Sequence, residues 1–284
     1  MTLAQALHDA QARFRAAGFA DAELEAELLL RHALGLSREE LFARIREPVA
    51  PEAERAYEAL LRRRLTHEPA AYIVGHREFY GLELACTRAA LIPRPETELL
   101  IDEALAWLRA QAQGPALLVD VGTGNGALAV AVAVHAPRVR IVGIDTSRAT
   151  LGLARGNAEA HGVADRIALV RGSLLASFRG KERFDLIVAN LPYVPTRLYE
   201  KLPPELRDYE PEEALHAGRR GTALIERLLS EAPALLRPDG LLLAEHAWNQ
   251  GRSLREAARA AFPRARIETK RDLAGRERVL VVAP

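Results

Sequence analysis

The chain has 284 residues, enough for one large domain or two ordinary ones. Its hydrophobic (49%) and charged (27%) fractions are those of a globular protein, and a formal charge of +1 argues against a nucleic-acid partner. One cysteine, Cys86, excludes an intrachain disulfide and any cysteine-rich metal site. No apolar run approaches the roughly 18 residues of a membrane span. The start, Met1 to Ala10, lacks a basic stretch followed by an apolar block, so no secretion signal is expected and a reduced, cytoplasmic setting fits. Arginine far outnumbers lysine, which suits both a thermophile and a GC-rich genome.

Residues 1–70 read as a helical domain. Leu3, Ala6, Leu7, Ala10, Phe14 and Ala17 recur at helical spacing and stop at Gly18. Asp21 is expected to cap a second helix carrying Leu24, Leu28, Leu29 and Leu30, ending near Gly35. Ser37 with Glu40 makes a capping box for a third. Pro51 opens a fourth, which passes Tyr57, Leu60 and Leu61 and ends near Thr66. Arg62-Arg63-Arg64 reads as a solvated helix face rather than a basic patch. A docking module for a macromolecule and a stabilising appendage are both open readings of this part.

Residues 71–92 change period. Tyr72-Ile73-Val74 and the segment from Glu78 to Cys86 read as a β-hairpin connector punctuated by Gly75 and Gly81, with Cys86 buried. Residues 93–284 form the third part. Pro93-Arg94-Pro95-Glu96-Thr97-Glu98 leads into a helix over 96–107. Strands are predicted near 117–121, 140–145, 167–171, 184–190, 240–246, 266–269 and 278–282. Helices are predicted near 126–135, 148–161, 222–236 and 253–261. This alternation predicts an α/β fold with a mostly parallel, doubly wound sheet.

Two loops carry the chemistry. Gly122-Thr123-Gly124-Asn125-Gly126 follows an apolar strand that ends in Asp120-Val121, and it opens a helix. Glycines there let the backbone approach a ligand and leave helix N–H groups facing it. The turn lacks the Gly-Lys-Ser/Thr ending of a phosphate loop, which favours a nucleoside ligand without phosphates, such as S-adenosylmethionine, over ATP or NAD. Asp145 ends the next strand about twenty residues on, where an acidic side chain meets ribose hydroxyls; capping the helix near Ser147 is compatible with that.

The second loop, Asn190-Leu191-Pro192-Tyr193, ends a strand. The side-chain oxygen of Asn190 and the backbone oxygen of Leu191 can each accept one N–H of a flat NH2 donor, and Tyr193 can stack on it. A carboxamide and an exocyclic base amine both qualify. His246 is read as a buried, hydrogen-bonded residue ahead of a general base, and the eight histidines show no metal-ligand spacing, so no metal is expected.

With these residues in place, the chain resembles the protein-(glutamine-N5) methyltransferases that act on peptide-chain release factors, the HemK/PrmC family. The stretches that carry the resemblance run from Tyr72 to Gly81, Leu91 to Glu98, Asp120 to Gly126, Tyr209 to Leu215 and Arg271 to Arg276. It implies a Rossmann-like class I methyltransferase domain. It also implies transfer of a methyl group from S-adenosylmethionine to the glutamine amide of a Gly-Gly-Gln motif in release factors. In that light Asn190, Leu191, Pro192 and Tyr193 match the family's Asn-Pro-Pro-Tyr and bind the glutamine, with Arg94 and Glu96 placed beside them. Gly122, Thr123, Gly124, Asn125, Gly126, Asp145, Ser173, Leu174 and Asn190 fall to the cofactor. Three positions depart from the family pattern: Leu191 replaces a proline, Ser173-Leu174 replaces an acidic residue followed by an apolar one, and Ala247 replaces a glycine. Methylation of a ribosomal-protein glutamine, or of an adenine amine in RNA or DNA, is the alternative. A non-catalytic cofactor-binding or ribosome-assembly protein is the alternative from another class.

Overall fold

The computed structural model describes residues 1–111, 114–178 and 183–284. The chain divides into two units, Met1–Gly75 and His76–Pro284.

The first unit is helical: α1 (Leu3–Ala16), α2 (Ala22–Leu34), α3 (Arg38–Ala43), α4 (Pro51–Leu65) and α5 (Ala70–Val74). Ser37 and Glu40 form the expected capping box, and Thr2 with Gln5 forms another that the pattern had not revealed. Asp21 departs from expectation. It stands at the N-cap of α2 but makes no side-chain capping bond, because its backbone (φ −104°, ψ 39°) is not extended. Phe14, Leu29, Leu30, Leu41, Tyr57 and Leu61 fill the core, while Leu24 faces out.

The arginine run of α4 is not a uniformly solvated face. Arg62 pairs with Glu58, and Arg63 grips Glu68 through two bonds of 2.9 Å. Arg64 is buried, bonded to both oxygens of Glu25, with its guanidinium 4.2 Å from the centre of the Phe19 ring. A planar, delocalised cation can be buried when its donors are matched and its face is covered.

Tyr72-Ile73-Val74 is helix α5, not the first hairpin strand. The carbonyl of Pro69 accepts the N–H groups of Tyr72 and Ile73, and Gly75 (φ 86°) closes the turn. A short apolar run fits a buried helix as well as a strand. The hairpin itself is β1 (His76–Phe79) with β2 (Leu82–Ala85), and its buried Phe79 and Leu84 belong to the core of the second unit.

That unit continues with α6 (Glu98–Ala110), β3 (Ala116–Val121), α7 (Ala127–His135), β4 (Val139–Asp145), α8 (Arg148–Ala160), β5 (Ile167–Arg171) and β6 (Phe184–Ala189). Three single-turn helices follow, α9 (Thr196–Tyr199), α10 (Pro204–Arg207) and α11 (Glu212–Leu215), none of which periodicity predicts. The chain then runs through α12 (Ala223–Glu231), β7 (Leu236–Glu245), α13 (Gly251–Ala261), β8 (Arg266–Arg271) and β9 (Glu277–Ala283). The seven-stranded sheet has the order β5-β4-β3-β6-β7-β9-β8. The first five strands are parallel, and β9 runs antiparallel to both neighbours.

Both faces of the sheet are covered. Leu118, Leu186, Val188 and Leu243 pack with α6 and α7, while Val119, Val121, Ile187 and Leu242 pack with α12 and α13. Alternate residues of one strand therefore serve opposite cores, which is why the strands read as continuous apolar runs. From β3 the chain passes outward to β4 and β5, then returns to β6 on the other side of β3. The carboxyl ends of β3, β4 and β6 thus splay around a topological switch point, where open α/β sheets bind ligands.

Candidate active site

A cavity opens at that switch point. Its walls include the turn after β3, Asp145 to Ser147 after β4, Gly172 to Leu174 after β5 and Asn190 to Pro192 after β6. The segment of residues 89–91 with Pro93 and Thr97 covers one side, and Pro211, Glu213 and Ala214 of the α11 region close another.

The glycine turn is built for close approach. Gly122, Gly124 and Gly126 have φ of 78°, 57° and 82°, a region that costs other residues of the order of 1–3 kcal/mol. The N–H groups of Gly122 and Thr123 both donate to the Ile144 carbonyl at 2.8 and 2.9 Å, stitching the turn to β4. Thr123 turns its hydroxyl back to Asp120 at 2.7 Å. Asn125 lines the cavity, and its side chain is engaged within the protein. Its amide donates to the Ala85 carbonyl of the hairpin and accepts from Ala127 N–H.

Asp145 accepts Gly124 N–H on one oxygen at 3.1 Å and Ser147 N–H on the other at 2.9 Å. The Thr146 N–H also bonds this carboxylate, which leaves about one of its four lone-pair sites for a ligand hydroxyl. Ser147, not Asp145, caps α8, accepting Thr150 N–H. Burial raises the Asp145 carboxyl above the usual range despite those bonds, and it pushes Asp120 up to about 7. With Glu213 also in the wall, the cavity is lined by carboxyl groups. That repels phosphate and suits a nucleoside bearing positive charge.

Asn190 donates through Nδ2 to Thr97 Oγ1 at 2.9 Å, and Thr97 donates to Glu245 Oε2 at 2.8 Å. The hydroxyl of Tyr193 reaches Glu245 Oε1 at 3.3 Å. Asn190, Leu191 and Pro192 line the cavity. Tyr193 does not; it is held from its hydroxyl end by Glu245 and from its carbonyl by Gln250 Nε2 at 2.9 Å. Glu245 is buried and its carboxyl is pushed up to about 7 by desolvation, with Thr97, Arg278 and Tyr193 pulling it down and Glu96 pushing it up. Thr97 and Glu245 escape sequence reasoning, because an ordinary helix-start threonine and a strand-end glutamate carry no spacing signal.

Arg94 and Glu96 stand apart from the cavity wall. Arg94 pairs with buried Glu210, whose other oxygen accepts Ile92 N–H at 3.2 Å. This pair pins the Tyr209-Glu210-Pro211 stretch to the proline-rich segment. Glu96 is exposed. Ser173 and Leu174 do reach the cavity, Leu174 in a left-handed conformation with φ 50°. His246 is fully buried, its Nδ1 donating to the Ala247 carbonyl at 2.8 Å, and burial lowers its pKa. It does not line the cavity.

The PrmC N-terminal domain family matches residues 5–75, and a methyltransferase domain family matches residues 116–274. A release factor glutamine methyltransferase of Moorella thermoacetica is 40% identical over 278 residues, covering 98% of this chain and 97% of the relative. The chain belongs to the release factor glutamine methyltransferase family. Another member, from Bordetella pertussis, is 41% identical over 256 residues, covering 90% of this chain and 93% of its own. In fold, the second unit is a Rossmann-like methyltransferase. The crystal structure of a methyltransferase from Pyrococcus furiosus superposes with a TM-score of 0.51 at 16% identity, covering 72% of this chain and 90% of that one. Among the described residues no helix is long and apolar enough to cross a membrane.

Proposed function

We propose that this chain moves a methyl group from S-adenosylmethionine to the side-chain amide nitrogen of the glutamine in the Gly-Gly-Gln motif of peptide-chain release factors, in the cytoplasm. One observation carries the reading. Asn190 lines a cavity beside a glycine turn with its NH2 already committed to Thr97, so its oxygen remains to receive an NH2 donor.

The residues present fit the cofactor. The positive-φ glycines give a ligand access to backbone, and the Asp145 carboxylate at the end of β4 suits a ribose hydroxyl. Ser173 is assigned to the adenine amine and Leu174 to its flat face, while the acidic wall favours a cation over a phosphate. When bound, S-adenosylmethionine supplies an electrophilic methyl group on a sulfonium.

The rest of the reaction is positioning. Asn190 Oδ1 and the Leu191 carbonyl accept the two N–H groups of the target amide and turn its nitrogen toward the cofactor side. Pro192 walls the loop, and Tyr193, anchored by Glu245, holds it rigid. An amide nitrogen is a poor nucleophile, so orientation is the main lever, worth up to roughly 7–11 kcal/mol. The methylated amide cation is a strong acid and sheds its proton unaided, so no side chain is assigned as base. The helical N-terminal domain is proposed to dock the release factor.

The deciding experiment incubates the protein with labelled S-adenosylmethionine and a purified release factor, followed by mass spectrometry of the Gly-Gly-Gln peptide. Label on that glutamine is expected. Label on RNA and none on protein would overturn the assignment.

A further inference from the structure

The Asn190 amide has two unlike ends, and only its oxygen can receive an NH2 donor. Which end faces the cavity is decided by neighbours far away in the chain. Glu245, at the end of β7, is 1% exposed. When ionised it can only accept hydrogen bonds. It meets two hydroxyls, Thr97 at 2.8 Å and Tyr193 at 3.3 Å. Each hydroxyl owns one proton, and each spends it on Glu245. Thr97 therefore turns a lone pair toward Asn190, which must answer with Nδ2, at 2.9 Å.

We propose that Glu245, acting through the Thr97 hydroxyl, sets the amide orientation of Asn190 and thereby makes the site selective for an NH2 donor over a carboxylate or carbonyl. This rests on the functional reading above, in which Asn190 holds the target glutamine. Glu245 and Thr97 are positioning residues. The same carboxylate also fixes Tyr193, so both ends of the Asn190-to-Tyr193 loop answer to one buried group. The charged and titratable groups facing it are Arg278 of β9, which favours its ionised form, Glu96, which opposes it, and the Tyr193 phenol. Arg278 is itself held by Asp272 at 3.0 Å.

Removing the charge changes the proton pattern. A glutamine at 245 offers one acceptor and one donor. If its NH2 meets Thr97, the Thr97 proton turns to Asn190, and Asn190 must then present its carbonyl to Thr97 and its NH2 to the cavity. Two donors would face each other there.

The test compares wild type with Glu245→Gln, Thr97→Val and Thr97→Ser, all as the full chain. It reads methylation of a purified release factor, the dissociation constants for that factor and for a version with glutamate in place of the target glutamine, S-adenosylmethionine affinity by calorimetry, and Tm. Thr97→Val keeps the shape without the hydroxyl, so it tests the relay even if Glu245→Gln folds poorly. In Thr97→Val and Glu245→Gln, kcat is expected to fall by about 30-fold or more, on the scale of losing one preorganised polar contact. Their preference for the glutamine factor over the glutamate one is expected to collapse, because that preference comes from matched donors and acceptors. Thr97→Ser, which restores the hydroxyl, is expected to recover most of the rate, and cofactor affinity is expected to hold in all three. An active wild type whose Thr97→Val variant keeps both rate and preference would overturn the relay alone. A wild type that methylates no glutamine would overturn the functional reading and the relay together.

Discussion

Gly122 and Leu191 meet where the glycine turn passes the loop after β6: a Cβ on Gly122 would sit 3.0 Å from Leu191 Cδ2. Gly122 also has φ 78°. Leu191 is thus buried against the glycine turn, and the two loops share one wall. Gly122→Ala should lose about 1–3 kcal/mol of stability from backbone strain alone and weaken S-adenosylmethionine binding. Adding Leu191→Ala should relieve the crowding but not the strain. Thermal unfolding and calorimetry on both variants check this; a Gly122→Ala protein as stable as wild type would contradict it.

Asn190→Ala should lower methyl transfer by about 100-fold or more, the scale of removing a preorganised polar contact. Cofactor affinity should change little, since the glycine turn and Asp145 remain. Single-turnover assays with calorimetry separate the two effects. Activity within a few-fold of wild type would remove Asn190 from the role given to it.

Arg94 and Glu210 form a clamp between the proline-rich segment and the Tyr209-to-Pro211 stretch. Glu210 is buried, and Arg94 is 28% exposed. Glu210→Ala leaves the Arg94 guanidinium and the Ile92 N–H without their acceptor, and should cost about 2–4 kcal/mol, somewhat below a fully buried pair. Arg94→Ala should also lower the denaturation midpoint while leaving KM for the release factor near wild type in the folded range. A raised KM at unchanged stability would restore the substrate role expected from sequence.

Asp120 and Glu245 each contribute stability that is greater in acid. Burial pushes both carboxyls up to about 7, above unfolded values near 4. A raised folded-state pKa contributes stability that is fully present below about pH 4 and is lost as pH rises through about 7. The Tm should therefore fall from about pH 5 to about pH 8 through these two groups. Over the same interval Glu245 ionises and the Asn190 relay forms, so activity should rise while stability falls. The double variant Asp120→Asn with Glu245→Gln should show a flatter Tm profile, measured by calorimetry in matched buffers. Equal slopes in the two proteins would refute the assignment.

Much of this protein was legible because local rules repeat. Parallel strands buried on both faces show as apolar runs, Ser37 with Glu40 announces α3, and glycines mark the turn after β3. The same rules place Asp145 and Asn190 at strand ends, hence at one rim of the sheet. Short elements escaped. The run at Tyr72 to Val74 is too short to show a period, and α9, α10 and α11 are single turns.

The linear order of residues determined the strand-helix alternation, the two chemical loops and the family; spacing within one element needs no knowledge of its neighbours. Folding alone decided where polar side chains find partners. Arg64 turned inward to Glu25, Arg94 went to Glu210, and Asn125 went to the hairpin. Thr97 met Glu245 from 148 positions away. A hydrogen bond extends only about 3 Å, so its partner is fixed by which strand ends and loops the sheet order brings side by side, and pattern along the chain does not encode that.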